Sequence, residues 1–387
     1  MQVPAIKTAK SMGLQVIAVD QNPKAVGFDM ADVALPIDIK DGESIVKWAI
    51  ANKHAHSIAA VFAGADVAVT AALVSEKLGL PGIPVEVAIA SKNKAIMKKR
   101  WLADGIPTPY SIEVANGKEA EKVAERFGYP LIVKAIDNSA SRGTVIVTEA
   151  GHLLNAVENA KLASTTGSCL IEEYVTGEEQ SVETVMHHGR QIRAGIVDRH
   201  FDFFPCCIEV GHTNPTKLPV DVQEEIYKVV EQAALSLGIT WGPAKADMIL
   251  TKKGPMILEM PARLSGGFHS QYTTPLATGM NPIRAVMRQS LGDEGFMEDL
   301  AVKHHKFAMC HAIFPQPGKI KNIHGYAEAL KIKGVEQIFN FRNPGDEIIN
   351  YQNCADRPCY VIVSAENRAE LAAIFARVKS TLIFEME

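Results

Sequence analysis

With 387 residues, 47% of them hydrophobic and 22% charged, the chain is composed like a folded protein large enough for two or three cores, not like a disordered one. Its 40 lysines and arginines against 44 aspartates and glutamates leave a formal net charge of −4, without the basic excess of a nucleic-acid or anionic-membrane binder. No apolar run approaches the roughly 18 residues of a membrane span and the start lacks a signal-peptide pattern, so a cytoplasmic location is expected.

Residues 1 to 90 alternate between helix and strand. Pro4 to Met12 has a helical pattern stopped by Gly13, Gln15 to Asp20 reads as a buried strand, and Val33 to Ile37 as a second. A helix over Glu43 to Asn52, a strand at Ile58 to Phe62 and a helix from about Ala65 to Leu78 complete the order of a parallel sheet with helices on its faces. Such a domain ordinarily opens on a strand and a glycine turn. This chain opens on the helix that should follow them, so the first strand is expected to lie upstream or to be missing.

Leu80-Pro81-Gly82-Ile83-Pro84 marks a boundary. Ser91-Lys92-Asn93 then caps a basic helix from Lys94 to Leu102, whose lysines taken alone read as a solvated face. After a helix at Lys118 to Phe127, the strand Tyr129 to Ala135 breaks into Asp137-Asn138-Ser139-Ala140-Ser141-Arg142-Gly143 and resumes as Thr144 to Val147. A small polar loop of this kind can close over a polyphosphate, with its amides and Arg142 as donors; by composition it is equally an ordinary hairpin turn. A helix near Leu153 to Ala163 leads to a strand that runs from Ser168 into the acids between Glu172 and Glu183, bent at Gly177. Carboxylates there can accept from an adenine amino group or from ribose hydroxyls. Strands at Gln191 to Val197 and around Cys206 to Glu209 precede a long amphipathic helix with Ile226, Val229, Val230, Ala233 and Leu237 on one stripe and Gly238 as its stop.

The stretch from Lys245 to Arg263 is the most informative. Lys245 to Leu250 and Met256 to Met260 are β-prone arms around a turn at Lys252-Lys253-Gly254-Pro255. With the turn centred on Lys253, Ile249 faces Ile257 and Asp247 faces Glu259. Opposed carboxylates with Cβ atoms roughly 4.5 to 5.5 Å apart repel unless a cation sits between them, so the hairpin calls for a metal. A small set of oxygen ligands suits Mg²⁺; two solvated acids are the plain alternative. Arg263-Leu264-Ser265-Gly266-Gly267-Phe268-His269 follows as a cation, a glycine pair and a histidine, the makings of an anion site. Beyond residue 300 come short strands at Phe307 to Phe314 and Tyr360 to Ser364 and a last helix from Arg368 to about Ser380, with no evident catalytic constellation. The six cysteines lack Cys-x-x-Cys spacing, and His54, His56, His187, His188, His304 and His305 lack ligands at usable spacing, so the histidines read as surface residues.

The common phosphate-binding motifs are absent. In their order and spacing, however, these separately weak elements resemble the ATP-grasp superfamily over nearly the whole chain. Within it the chain looks most like the carboxylate-amine ligases, the group that includes L-amino acid ligases, with biotin carboxylase and the purine-pathway carboxylases as cousins. The resemblance implies an α/β ATP-grasp fold: a preliminary parallel α/β domain over residues 1 to 90, with its first strand missing, an ATP-grasp domain over 91 to 300, and a small α+β domain over 301 to 387. It implies ATP and Mg²⁺ (or Mn²⁺), small-molecule carboxylate and amine substrates, and it allows a homodimer. Position by position, it makes Lys94 and Lys134 the lysines on the phosphates and Lys134 and Arg263 the catalytic cations. It makes Asp137 to Gly143 the mobile loop, with Ser139, Ser141, Arg142 and Gly143 on the nucleotide. Glu172 and the backbone of Glu173, Tyr174 and Val175 become the adenine edge, Glu179 the ribose acceptor, and Asp247 and Glu259 the metal carboxylates. The turn Ser265-Gly266-Gly267 would hold the acyl phosphate or the substrate carboxylate, and Glu209, His212 and His269 are candidates for a base acting on the amine.

The implied chemistry is attack of a carboxylate on the γ-phosphate of ATP, giving an acyl phosphate from which an amine displaces phosphate. Two departures from the family pattern stand out: Pro261 replaces the asparagine of Glu-x-Asn-Pro-Arg, removing a usual third metal ligand, and the first strand is missing. They leave open a nucleotide-binding protein without catalysis. A bicarbonate-using carboxylase is a further alternative, since it shares the same acyl-phosphate machinery.

Overall fold

The structure, a computed structural model, describes residues 2–387. Helix α1 (Val3–Ser11) leads to the short parallel strands β1 (Ile17–Val19) and β2 (Val33–Leu35), then to helices α2 (Gly42–His56), α3 (Ala68–Leu78) and α4 (Val85–Lys92). Two expectations are corrected here. β1 is half-buried along its whole length, since the pair has no further strand beside it among the described residues. Ile58 to Phe62 runs as a loop for the same reason: strand-prone side chains make no strand without a neighbouring backbone edge.

Helix α5 (Lys94–Ala103) starts where the Asn93 side chain accepts from the Ile96 amide at 3.0 Å, while Ser91 and Lys92 close α4 instead of joining the cap. Next come β3 (Ser111–Val114), α6 (Gly117–Phe127), β4 (Leu131–Ala135), β5 (Thr144–Val147), α7 (Leu153–Leu162) and β6 (Cys169–Glu173). Their strands form an antiparallel sheet in the order β3-β6-β4-β5, with the two helices packed over Leu131, Val133, Val147 and Ile171.

The second sheet begins with β7 (Glu178–His187), β8 (Arg190–Asp202) and β9 (Ile208–Asn214), crosses over through α8 (Val220–Leu237), and returns as β10 (Gly242–Thr251) and β11 (Gly254–Glu259). The apolar stripe of α8 lies on Val182, Ala244, Ala246 and Met248 and on Met97 and Trp101 of α5. Trp101 is fully buried and its indole N–H donates to the Ala233 carbonyl at 3.1 Å, which fixes α5, and with it Lys94, against this sheet. At the bend before β7, a Cβ on Gly177 would stand 2.2 Å from the Leu250 carbonyl oxygen, so only glycine lets the two strands start this close.

The chain then makes a π-helical turn at His269–Thr273 and runs on through α9 (Thr274–Thr278), α10 (Pro282–Ser290), β12 (Phe307–Ile313), β13 (Gly318–His324), α11 (Tyr326–Leu330), β14 (Val335–Asn340), β15 (Glu347–Ile348), β16 (Cys359–Ala365), α12 (Arg368–Thr381) and β17 (Ile383–Met386). β12 pairs with β9, so one antiparallel sheet, β11-β10-β7-β8-β9-β12-β16-β14, crosses residue 300 without a break. The last stretch has a core of its own between this sheet and α12, yet it is part of the same sheet. All six cysteines are free. No helix among the described residues is long and apolar enough to cross a membrane.

Candidate active site

The two sheets face each other across a cleft of about 470 Å³. Lys134 on β4, the loop from Asn138 to Ser141 and the segment Glu173 to Gly177 line one side; Glu179, Arg199, Asp247 and Glu259 line the other, with Lys94 between them. The nucleotide residues expected at Lys94, Lys134, Ser139, Ser141, Glu172, Glu173, Tyr174, Val175 and Glu179 therefore converge on one space. Lys94 Nζ donates to the Asn138 carbonyl at 2.6 Å and lies 3.5 Å from the Glu259 carboxylate.

Three expectations change. Glu172 is fully buried between Lys134 and Lys98, the latter at 2.9 Å, so its carboxylate is committed to two ammonium groups and is not free for the adenine edge expected of it. Lys98 is 1% exposed, so the basic helix is not simply a solvated face. Burial works against all three charges. Their mutual attraction outweighs it for Glu172, held below the usual range, and for Lys134, held above it, whereas Lys98 comes down to about 8. Arg142 turns back on its own loop, its Nε donating to the Ser139 carbonyl at 3.1 Å, so neither it nor Gly143 lines the cleft.

The hairpin register explains how the metal pair forms. Met248 faces Ile257 and Ile249 faces Met256, one residue out of the expected register, because the turn is centred between Lys252 and Lys253. A bulge between Asp247 and Met248 then restores the offset and brings Asp247 opposite Glu259. Asp247 also meets Arg199 at 3.1 Å and pairs with Lys245. Burial, aided by the facing Glu259, leaves the Asp247 carboxyl raised despite these cations. Burial pushes on Glu259 too, but Lys94 and Lys245 outweigh it and hold that group well below its usual range. Asp247 Oδ1 is buried and, though Arg199 lies 3.1 Å away, receives no well-directed hydrogen bond. Two facing carboxylates in a buried spot are the hard oxygen donors that Mg²⁺ or Mn²⁺ takes, so the donor set fits one.

Arg199 was not legible as a site residue, yet it joins the two halves of the site. Its guanidinium reaches Glu179 at 3.1 Å, Glu209 at 2.9 Å and Asp247 at 3.1 Å. Against the burial that would raise it, Arg199 draws Glu209 down to about 2, whereas burial wins at Glu179, which rises to about 6. Lys245 in a largely apolar strand was an available signal, whereas Arg199 sits among Asp198, His200 and Asp202, where one more charge does not stand out.

Beyond Arg199 lie the residues expected around the substrate. The Ser265 amide donates to the fully buried Glu183 at 3.1 Å, and Ser270 Oγ donates to the same carboxylate. His212 Nε2 meets Thr273 Oγ1 at 2.8 Å, and its ring lies 5.5 Å from that of His269, neither of whose nitrogens has a partner. Burial keeps both rings neutral, taking His212 down to about 4 and His269 well below its ordinary value. Neither Gly266 nor Gly267 has anything within 4 Å of a built Cβ, so the turn offers open backbone. Arg263 Nε donates to Asp66 at 3.2 Å, and like Glu209, His212, Ser265, Gly266, Gly267 and His269 it stands outside the lining of the nucleotide cleft.

The carboxy-terminal stretch, read as lacking catalytic residues, reaches this region. The Cys354 amide donates to Ala140 of the loop at 3.0 Å, and Arg357 donates to the Glu209 carbonyl at 2.9 Å. The histidine pair His187 and His188 also departs from expectation, since it meets Glu294 and His187 is largely buried. Gln289 donates to His187 Nδ1, which leaves Nε2 to donate to Glu294: a structural tie, not the tautomer of a metal ligand at Nε2.

A family model described as an ATP-grasp domain matches residues 127–271, and one described as L-amino acid ligase C-terminal domain 2 matches residues 311–387. The chain is 31% identical over 228 residues to a D-alanine–D-alanine ligase of Bordetella avium, covering 55% of this chain and 68% of that one. For the first three curated relatives it matches, the aligned stretch spans 65%, 68% and 58% of their own length, about two thirds or less. In fold it is similar to an L-amino acid ligase from Bacillus licheniformis, with TM-score 0.87 and 22% identity over 100% of this chain and 96% of that one. It is also similar to the biotin carboxylase domain of a Hydrogenobacter thermophilus 2-oxoglutarate carboxylase, solved with MgADP, ADP and bicarbonate, with TM-score 0.75 and 19% identity over 99% and 88% of the two chains.

Proposed function

The chain belongs to the ATP-grasp superfamily, among its carboxylate-amine ligases, and from that premise we propose that it activates a small carboxylate with ATP as an acyl phosphate and joins it to an amine. The observation that carries this reading is the placement of Asp247 opposite Glu259 in a cleft where Lys94 and Lys134 converge. Two lysines and a loop of open amides suit a polyphosphate, and the backbone of Glu173 to Val175 suits a base edge.

On this reading Lys94 and Lys134 hold the phosphates of ATP while the amides of Ala140 and Ser141 cover them, and Glu179 accepts from the ribose. Asp247 and Glu259 would hold Mg²⁺ or Mn²⁺, which when bound supplies charge neutralisation at the transferring phosphoryl group. Arg263 is the further cation beside that group, and the turn Ser265-Gly266-Gly267 receives the activated carboxylate with the backbone N–H groups of Gly266 and Gly267, the Ser265 amide being held by Glu183. Most of the catalysis is positioning and charge neutralisation, as phosphoryl transfer requires.

The test is ADP release with amino acids supplied singly and in pairs, and with bicarbonate as a separate arm. Release that depends on a carboxylate and an amine, with an amide as product, supports the proposal. Release with bicarbonate and no amine would replace it with a carboxylase, and ATP binding without stimulated turnover would replace it with a nucleotide-binding protein.

A further inference from the structure

Asp66 is an acid among groups that bind anions. It lies in the turn before α3, where its Oδ1 accepts from Arg263 Nε at 3.2 Å; burial would raise this carboxyl, but Arg263, with help from Lys92 and Ser139, holds it below its usual value. A carboxylate at this place repels the phosphates and the acyl phosphate that Arg263 and Ser139 would serve. What it attracts is N–H or a cation. It stands outside the lining of the nucleotide cleft, which sets it apart from Asp247 and Glu259. The other carboxylates of the region are buried more deeply in their pairings, Glu183 with Ser265 and Ser270, Glu209 and Asp247 with Arg199, and Glu259 with Lys94, whereas Asp66 has Arg263 on one oxygen. Asp66 keeps 34% of its side-chain surface exposed, so a second substrate can reach it from solvent, whereas Glu183 and His269 are sealed.

We propose that Asp66 is the catalytic carboxylate that receives the incoming amine. This rests on the ligase reading above. Once Arg263 turns to the acyl phosphate, Asp66 accepts hydrogen bonds from the amine nitrogen and holds it against the acyl carbon. The ammonium of the incoming amino acid first gives one proton to Asp66, which frees the nitrogen lone pair. As the new C–N bond forms, the C–O bond to phosphorus breaks, and phosphate leaves with the electron pair and takes the second proton from nitrogen, so electrons and protons balance without a further reactant.

The experiment compares two nucleophiles in the wild type and in Asp66→Asn: hydroxylamine, which is unprotonated at neutral pH and needs no base, and a second amino acid. The common L-amino acids are supplied singly as carboxylates, and hydroxamate and amide are measured separately. The ratio of amide to hydroxamate should fall about 100-fold in the variant, the scale of a lost general base, and the KM for the amine should rise. An unchanged ratio, whether both products fall together or neither falls, would overturn the inference and leave Asp66 as a support for Arg263. Absence of hydroxamate in the wild type would instead overturn the ligase reading, and the inference with it. Hydroxamate formed by the variant also reports that it is folded.

Discussion

Three carboxylates that would repel one another, Glu179, Glu209 and Asp247, share the single guanidinium of Arg199. The consequence is clearest at Glu209, whose folded-state pKa of about 2 lies below its ordinary 4.5. A depressed acid contributes stability above the unfolded value, and that contribution is lost as pH falls through the folded one. The melting-temperature gap between the wild type and Glu209→Gln should therefore be full above about pH 4.5 and close towards pH 2; a gap independent of pH would contradict the pairing. At the metal pair, Asp247→Asn or Glu259→Gln removes an oxygen ligand while relieving repulsion between the two acids. Each should lower ADP release by about 100-fold or more, since metal-borne charge stabilisation is worth several kcal/mol, with melting temperature little changed in Asp247→Asn, whose carboxyl burial raises, and lowered in Glu259→Gln, whose carboxylate Lys94 and Lys245 stabilise. Near-normal turnover in both variants would remove the metal assignment.

The loop between β4 and β5 was expected to be mobile, and the structure shows what holds it at each end. Asp137 accepts from Ser164 and Thr165, Asn138 donates to the Ala163 carbonyl at 2.8 Å, and Ala140 accepts from Cys354. Ala140 and the next residue, Ser141, both take positive φ, and past the last tie Arg142 is exposed. Trypsin should therefore cut after Arg142, and Mg-ATP should slow that cut as the loop closes on phosphate. Equal cleavage with and without nucleotide would count against a nucleotide-covering loop. A second element shows how distant parts set the site. The turn after Gly266 and Gly267 ends in Phe268, a bulky residue at φ +70, whose ring stacks 4.4 Å from Phe339 and meets Tyr360 at 5.2 Å. Backbone strain there costs about 1–3 kcal/mol, which burial of the ring in the carboxy-terminal core offsets.

For the whole molecule, the continuous sheet means the last stretch is no dispensable appendage. Removing residues 301–387 strips β12 from β9 and uncovers Phe268, leaving an unpaired interior edge beside an apolar face. Such a truncation should appear in the insoluble fraction or as large aggregates on gel filtration. A monomeric truncated chain that still binds ATP would show the stretch to be independent.

The sequence by itself determined the helix stops at Gly13 and Gly238, the Asn93 cap, the strand–loop–strand around Asp137 to Gly143 and the hairpin that carries Asp247 and Glu259. These are local: each depends on a glycine, a cap or an apolar period within a few residues. It supplied the right facing pair for the wrong register, since a one-residue bulge is invisible in composition and happened to restore the offset. Only the tertiary structure decided that Lys98 and Glu172 are a buried ion group, that Arg199 joins three acids, that Asp66 meets Arg263, and that Cys354 and Arg357 reach the site from the far end of the chain. Each of these is a contact between residues many positions apart, and whether a charge is solvated or paired depends on which backbone folds over it, something no local pattern encodes.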